Sequence, residues 1–420
     1  MKQLFSEEKS ILIAPFFIVL FVFFVPISSS LKSIMAGLGL VALLLTPYYR
    51  NQLLGAYNSL WGWAGIALFA YVLIGCLWSE APYHLRYTVV DKYSKALYLP
   101  ILAVGFINPK TRRWAFNAYF ATMLITCVIS YLKHKSLFVI NNPVDTGEVF
   151  HNHIVTGFMV ALAVYFAAII ALEPEVNKWQ RMYCWLMIVA GSYQIFFLNT
   201  GRTGYFIYAF LMLFLIVQKF SLKKAALGVT LLIASIGMVY LASPLMQLRT
   251  GILISDIKFL KKHEENTSLG YRMQFHKYAR SLFEEHPVFG IGTGYFKYSF
   301  HRDKPVPGWE EKLNEPHSQY WLALVEGGIV GLMFYLTFIG SLFILAFKLS
   351  KTARLVMLGP LIAVCFGSFS DSIFCYSPVG SILVVICAMG FAELLEKKAA
   401  TIASVKEKTY LSSHTAELAV

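Results

Sequence analysis

The best candidates for an active site in this chain are two arginines and one histidine, Arg202, Arg272 and His317. A guanidinium binds phosphate oxygens through two parallel hydrogen bonds. An imidazole can accept a proton from an attacking hydroxyl. The combination predicts transfer of a group from a phosphate-bearing donor to an alcohol, with arginines neutralising the departing phosphate.

His317 lies where a long polar segment meets a long apolar one, and Pro316 precedes it. Proline is well tolerated at the start of a helix, so we expect His317 in the first helical turn. The positive end of the helix dipole there disfavours a protonated imidazole, as a proton acceptor requires. Taken alone, a capping or interfacial histidine is the simpler interpretation.

The two arginines also have simpler interpretations. Arg202 lies in a very short turn between two apolar runs, where it could be an interfacial anchor or bind a lipid-linked phosphate. Arg272 lies on a predicted surface helix from about 267 to 286, where a solvated charge is the simpler role. Arg86, Lys92 and Lys95 are weaker candidates for phosphate binding.

Composition identifies a membrane protein. The 420 residues are 57% hydrophobic and 14% charged, against about 25% charged in soluble domains. The net charge of +13 comes from bases at the ends of apolar runs, which predicts contacts with membrane lipids and no nucleic-acid partner. Six cysteines without a CxxC pair, and no cluster of metal ligands, predict neither a metal nor a cofactor.

Apolar runs predict an all-α protein of about twelve transmembrane helices. The fourth is the least well defined because Asp91, Lys92 and Lys95 crowd its start. The first follows Lys2 and Lys9 and is predicted to be an uncleaved helix. The predicted spans are 11–29, 32–48, 60–78, 93–108, 113–131, 153–172, 180–199, 203–219, 224–244, 318–346, 353–373 and 377–395.

The distribution of Lys and Arg predicts cytoplasmic termini and an external loop, which in a bacterium is periplasmic. The predicted organisation is nine spans in 1–244, one large periplasmic loop with short helices in 245–316, three spans in 317–396 and a cytoplasmic tail in 397–420. Glycines at 290–294 predict a tight turn toward the bilayer. No P-loop lysine accompanies them, so a nucleotide site is not predicted.

Three motifs resemble those of the bacterial O-antigen ligase and polymerase superfamily. His317-Ser318, nine residues and then Gly-x-x-Gly at 328–331 resemble the ligase signature. The Thr-Gly-Arg-Thr-Gly turn at 200–204 is similar to a Ser-Arg-Gly-type motif, with Thr203 where a small residue is usual. Arg272 followed by the segment 287–292 resembles an Arg…Pro-Leu-x-Gly-x-Gly block.

The resemblance implies a GT-C-type glycosyltransferase of the bacterial inner membrane. It implies metal-independent, inverting transfer of O-antigen glycan from undecaprenyl pyrophosphate to a lipid A–core sugar. His317 would be the catalytic base or position the acceptor, and Arg202 and Arg272 would hold the pyrophosphate. The alternatives are an O-antigen polymerase, a protein O-oligosaccharyltransferase and, more distantly, a transporter or flippase.

Overall fold

The computed structural model describes residues 7–137 and 145–417, with side chains for 12–137 and 145–399. The predictions that concern Lys2 and the residues 418–420 lie outside this part of the chain. Within it, the regular elements are all helices. They are α1 Glu7–Phe24, α2 Ser29–Leu45, α3 Pro47–Tyr57, α4 Leu60–Ile74, α5 Tyr83–Ser94, α6 Tyr98–Gly105, α7 Pro109–His134, α8 His153–Ala171, α9 Lys178–Tyr193, α10 Arg202–Lys219, α11 Leu222–Ala242, α12 Pro244–Lys261, α13 Ser268–Glu285, α14 Tyr295–Asp303, α15 Gln319–Phe347, α16 Lys351–Gly367 and α17 Ser377–Glu417.

The helices are those of a polytopic membrane protein. Seven helices of the described chain are long and apolar enough to cross a bilayer, or eight if α2 and α3, which meet at a bend of 104°, form one span. The seven are Leu60–Leu77, Pro109–His134, His153–Ala171, Lys178–Leu198, Leu222–Ala242, Gln319–Phe347 and Ser377–Ala399. The number twelve is therefore not confirmed.

The predicted fourth span, 93–108, is not one continuous helix. It comprises the end of α5, a 3₁₀ turn at Lys95–Leu97 and the eight-residue helix α6. At 1.5 Å per residue, α6 has only about 12 Å of the ~30 Å needed to cross the hydrocarbon. Lys95 is buried, and its ammonium donates to the carbonyl oxygen of Phe374 at 2.9 Å. The charge at the start of the predicted span is therefore satisfied inside the protein.

Two helices form the centre of the bundle. The apolar windows of α8 and α17 are 78% and 83% buried, whereas that of α11 is 6% buried. Large aromatic side chains of α8, including Phe158, Tyr165 and Phe166, are fully enclosed. Helix α11 therefore lies at the periphery, and α8 and α17 provide the rigid frame to which the polar turns at the helix ends are attached.

Helix α15 is broken at Gly328, and the segment that follows α13 fills the break. Gly328 has a φ of 64° and a ψ of −165°. Around it, the amides of Ile291 and Gly292 donate to the carbonyls of Val325 and Glu326, at 3.0 Å each. Backbone groups freed by the break are thus paired inside the protein, as a membrane-spanning helix requires.

The bonds continue on the other side of the break. The amides of Ile329 and Val330 donate to the carbonyls of Pro287 and Val288 at 2.9 and 3.2 Å. The predicted tight turn at 290–294 is therefore part of a segment locked onto α15. This junction fixes the end of α13 against α15 and so sets the position of the residues that α13 carries.

Candidate active site

His317 lies just before α15 rather than in its first turn. The helix begins at Gln319, and the Ser318 side chain is the N-cap, accepting from the amide of Trp321. The expectation of a first-turn position is wrong because the capping side chain belongs to Ser318. His317 itself has a φ of 51°, a left-handed conformation that is uncommon outside glycine. This backbone geometry directs the imidazole away from the helix axis and toward a neighbouring turn.

The imidazole of His317 is held by Asp371, which follows α16. Its Nδ1 lies 2.5 Å from Oδ1 of Asp371. Asp371 has no exposed surface, and the hydroxyl of Tyr376 donates to the same oxygen at 2.8 Å. The ring of Phe275 stacks on the imidazole with centroids 5.7 Å apart. A carboxylate on Nδ1 fixes the tautomer in which Nε2 carries the free lone pair.

Helix α13 brings Arg272 to the same carboxylate. The Arg272 Nη2 atom lies 3.5 Å from Oδ2 of Asp371, and its buried Nε has no hydrogen-bond partner within the described chain. One turn later, Nε2 of His276 donates to the carbonyl oxygen of His317 at 3.2 Å. Burial lowers the pKa of His276, which favours a neutral ring. Arg272 and His276 therefore both lie next to His317 and its partner Asp371.

Arg280, a third basic residue of α13, does not reach the site. Arg280 donates to Glu284 on its own helix at 2.7 Å, and both side chains are well exposed. It therefore lies outside the site and offers a matched control for experiments on Arg272.

Arg202 reaches the start of α13 from the first turn of α10. Its two terminal nitrogens lie 3.3 and 3.4 Å from Oδ2 of Asp256, and Nη2 donates to Ser268 Oγ at 3.1 Å. Ser268 and Arg272 are four residues apart and share one face of a helix. The two arginines thus approach neighbouring positions on α13, each next to a buried carboxylate.

The turn that carries Arg202 is braced by a second histidine–aspartate pair. Nδ1 of His153 lies 2.7 Å from Oδ2 of Asp145, and Thr200 donates to the same oxygen at 2.7 Å. Burial raises the pKa of Asp145, but hydrogen bonds from His153 and Thr200 outweigh it and lower the pKa to about 2. This lowered pKa keeps the carboxylate of Asp145 ionised near neutral pH. Through Thr200 it anchors the turn two residues before Arg202.

All three weaker candidates contact other groups of the protein. Arg86 donates to the carbonyl oxygen of Cys76 at 2.9 Å, and Lys95 is buried as described above. Lys92 lies 3.9 Å from Oε2 of Glu315, which is itself buried and lacks a hydrogen bond at that oxygen. Burial raises the pKa of Glu315, opposed by the nearby Lys92 and His317.

Lys92 and Glu315 line a cavity of about 210 Å³. Tyr376, which bonds the carboxylate that holds His317, lines it as well. The cavity therefore offers space for a polar ligand beside Tyr376 and Glu315, and Glu315 lies two residues before His317 in the chain. Its other lining residues are Leu85, Thr88, Val89, Gly294, Lys297, Asn314, Leu322, Glu326 and Cys375.

Sequence reasoning missed the carboxylates of this site: Asp256, Glu315 and Asp371. Asp371 was assigned to the end of the predicted span 353–373, and a carboxylate within such a run is costly unless it has a partner. That cost is the sequence signal from which a buried partner for Asp371 could have been predicted. Within the described residues, no group of three or more His, Cys, Asp or Glu side chains could hold a metal ion.

Comparison with known families gives one match. Residues 182–336 match the family described as O-antigen ligase. The range includes Arg202, Arg272 and His317 and ends before Asp371. The resemblance stated from the motifs is confirmed over this range. A comparison with curated proteins gives no match.

Proposed function

From the resemblance to O-antigen ligases, we propose that this protein transfers a polysaccharide from undecaprenyl pyrophosphate to a hydroxyl of lipid A–core. The reaction is metal-independent and inverting. The enzyme is a twelve-span, GT-C-type glycosyltransferase of the bacterial inner membrane, with cytoplasmic termini and a periplasmic active site.

One observation carries this proposal: a single buried carboxylate, that of Asp371, contacts both a base and a cation. Asp371 accepts from Nδ1 of His317 and pairs with Arg272 through its other oxygen. A single rigid group thereby fixes the distance between a proton acceptor and a phosphate-binding side chain. Such pre-organisation is what transfer from a pyrophosphate to an alcohol requires.

In the proposed step, the acceptor hydroxyl oxygen attacks the anomeric carbon on the face opposite the pyrophosphate. The new glycosidic C–O bond forms as the bond from carbon to phosphate oxygen breaks. The hydroxyl proton passes to Nε2 of His317, and both electrons of the broken bond leave with the pyrophosphate. Asp371 stabilises the imidazolium that results.

Arg272 is the first candidate to bind the departing pyrophosphate. Its contact with Asp371 is long, at 3.5 Å, and its Nε is unpaired in the described chain, so N–H groups remain for phosphate oxygens. Arg202, from α10, contacts the same face of α13 through its hydrogen bond to Ser268. The pair would neutralise the charge that a divalent ion neutralises in other glycosyltransferases.

The helix order supports a site at one end of the bundle. Three elements come together there through α13: the start of α10, the start of α15 and the turn after α16. Arg202 contacts α13 at Ser268, Arg272 of α13 pairs with Asp371, and Asp371 holds His317. If the N-terminus is cytoplasmic, this end faces the periplasm, where a membrane-bound activated donor replaces nucleotide sugars. A transporter would instead place its polar groups near the middle of the bilayer.

The test is complementation of a bacterium that lacks its O-antigen ligase but still makes lipid-linked O-antigen. Lipopolysaccharide on gels should carry polymer with the wild-type chain and lose it with His317→Ala at equal membrane level, while Arg280→Ala should retain it. Absence of polymer with well-inserted wild-type protein would contradict the ligase proposal. Rescue of a polymerase-null strain instead would assign the polymerase reaction.

A further inference from the structure

A groove lies beside the candidate active site, between α1, α2, α6 and the start of α17. It encloses about 210 Å³. Its walls are mostly apolar, and they are formed by Ile18, Phe21, Ala36, Gly37, Gly39, Leu40, Leu43, Tyr98, Ile101 and Leu102. An apolar groove of this kind suits part of a hydrocarbon chain.

Three lysines line the polar part of the groove. They are Lys32, Lys92 and Lys95, accompanied by the single acid Asp91. Lys32 donates to the hydroxyl of Ser377, and Lys95 to the carbonyl oxygen of Phe374. Neither forms a salt bridge with a carboxylate in the described chain. The groove therefore carries excess positive charge at its polar part.

The charged part of the groove adjoins the cavity that Glu315 and Tyr376 line. Lys92 lines both the groove and the cavity that contains Glu315 and Tyr376. Phe374, which accepts from Lys95, lies three residues after Asp371. A ligand whose head group lies at the lysines can thus extend toward the His317–Asp371 pair.

We propose that this groove binds the lipid carrier of the donor, with the phosphate-proximal part of a polyprenyl chain between α1, α2 and α6. Lys32 and Lys92 hold the phosphate next to the carbonyl-bound Lys95. This inference rests on the proposed function, because it assigns the place of the donor lipid. The enclosed volume is small, so the remainder of the chain lies among membrane lipids.

Charge and shape together argue for this occupant. A neutral lipid would leave the groove's excess of lysines over Asp91 without a counter-charge, and a free phosphate would leave the apolar walls unfilled. A polyprenyl pyrophosphate satisfies both. Its pyrophosphate can be bound jointly by the lysines of the groove and by the arginines beside His317.

Gly37 allows the groove to be filled without disturbing the protein. It lines the groove, and a Cβ atom added there would meet nothing within 4 Å. Gly37→Leu therefore places a side chain at the groove wall. Gly237 on α11 has the same open surroundings and is remote from the groove, so Gly237→Leu is the matched control. For the charge, Lys32→Gln is matched by Lys224→Gln, at the exposed start of α11.

The test measures binding of three probes to the full chain in detergent by native mass spectrometry: undecaprenyl pyrophosphate, undecaprenol and phosphatidylglycerol. Loss of a charge-assisted bond predicts about tenfold weaker binding of undecaprenyl pyrophosphate to Lys32→Gln, with undecaprenol unaffected. Gly37→Leu should weaken both polyprenyl probes. The two control variants should bind like the wild type.

Equal undecaprenyl pyrophosphate binding by Lys32→Gln, Gly37→Leu and wild type would overturn the groove assignment, even if the wild type complements a ligase-null strain. Preferential binding of phosphatidylglycerol would overturn it as well and make the groove a phospholipid site. Conversely, variant-sensitive binding of undecaprenyl pyrophosphate, together with failed ligation, would keep the groove and reject the proposed function.

Discussion

Nδ1 of His317 lies 2.5 Å from Oδ1 of Asp371, although the two residues are 54 positions apart in the chain. The contact joins the segment before α15 to the turn after α16. It also joins the base to Arg272, which pairs with the second oxygen of the same carboxylate. The chemistry of the candidate site therefore depends on a residue outside the family match at 182–336.

Asp371→Asn should reduce ligation by about 10²–10⁴-fold, because an amide no longer fixes the Nδ1–H tautomer or stabilises the imidazolium. The rate is measured as polymer transferred to lipid A–core by purified protein in liposomes. Tyr376→Phe removes one hydrogen bond to the same oxygen and should have a smaller effect. A fully active Asp371→Asn variant would show that this carboxylate does not orient the base.

Arg272→Ala should slow transfer by about 10²–10³-fold if it stabilises the departing pyrophosphate. Arg272→Lys should recover only part of the rate, since an ammonium lacks the planar fork of a guanidinium. The control is Arg280→Ala on the same helix, whose partner is the exposed Glu284. Equal losses in both variants would point to a change in α13 as a whole rather than to lost phosphate binding.

Gly328→Ala should destabilise the protein by about 1–3 kcal/mol. The residue has a positive φ, and a Cβ atom there would approach the carbonyl oxygen of Val288 to 2.2 Å. Gly340→Ala is the matched control, because its added Cβ would meet nothing within 4 Å on the same helix. Thermal unfolding in detergent measures the difference. Equal midpoints for the two variants would contradict the locked junction between α15 and the loop.

Glu315 should make stability fall as the pH rises. Burial raises its pKa above the usual 4.5, so the folded state binds a proton more tightly than the unfolded chain. Its contribution is complete below pH 4.5 and is lost as the pH rises through the raised value. Glu315→Gln should therefore show a weaker decline of the unfolding midpoint above pH 4.5 than the wild type. Parallel pH curves would contradict this assignment.

Much of the helical frame was predictable because its signals are local. Thr267 caps α13, and the apolar run of α15 matches the predicted span within one residue at each end. Arg202 could be singled out because a charged group at membrane depth is costly, and His317 because it lies where a polar segment meets an apolar one. The three side chains were predicted to act together. In the structure Arg272 pairs with the carboxylate that holds His317, and Arg202 contacts Ser268 at the start of the same helix as Arg272.

What could not be predicted depends on long-range pairing. Nothing near Asp371 in the sequence indicates that it meets His317, and the partner of Lys95 is a backbone carbonyl that only the packed bundle provides. Lys32 does not stand out in the sequence because a single lysine near a helix start has many ordinary roles. Its significance arises from its place beside Lys92 and Lys95 in one groove.

The most direct test of the account is a reconstituted transfer reaction with purified protein, undecaprenyl-pyrophosphate-linked glycan and lipid A–core, in the presence of a metal chelator. We expect the wild type to form the glycan–lipid A–core product, and His317→Ala to lose about 10²–10⁴-fold in rate while still binding the donor. No product with folded wild-type protein, or undiminished product with His317→Ala, would contradict the proposed reaction or its base, respectively.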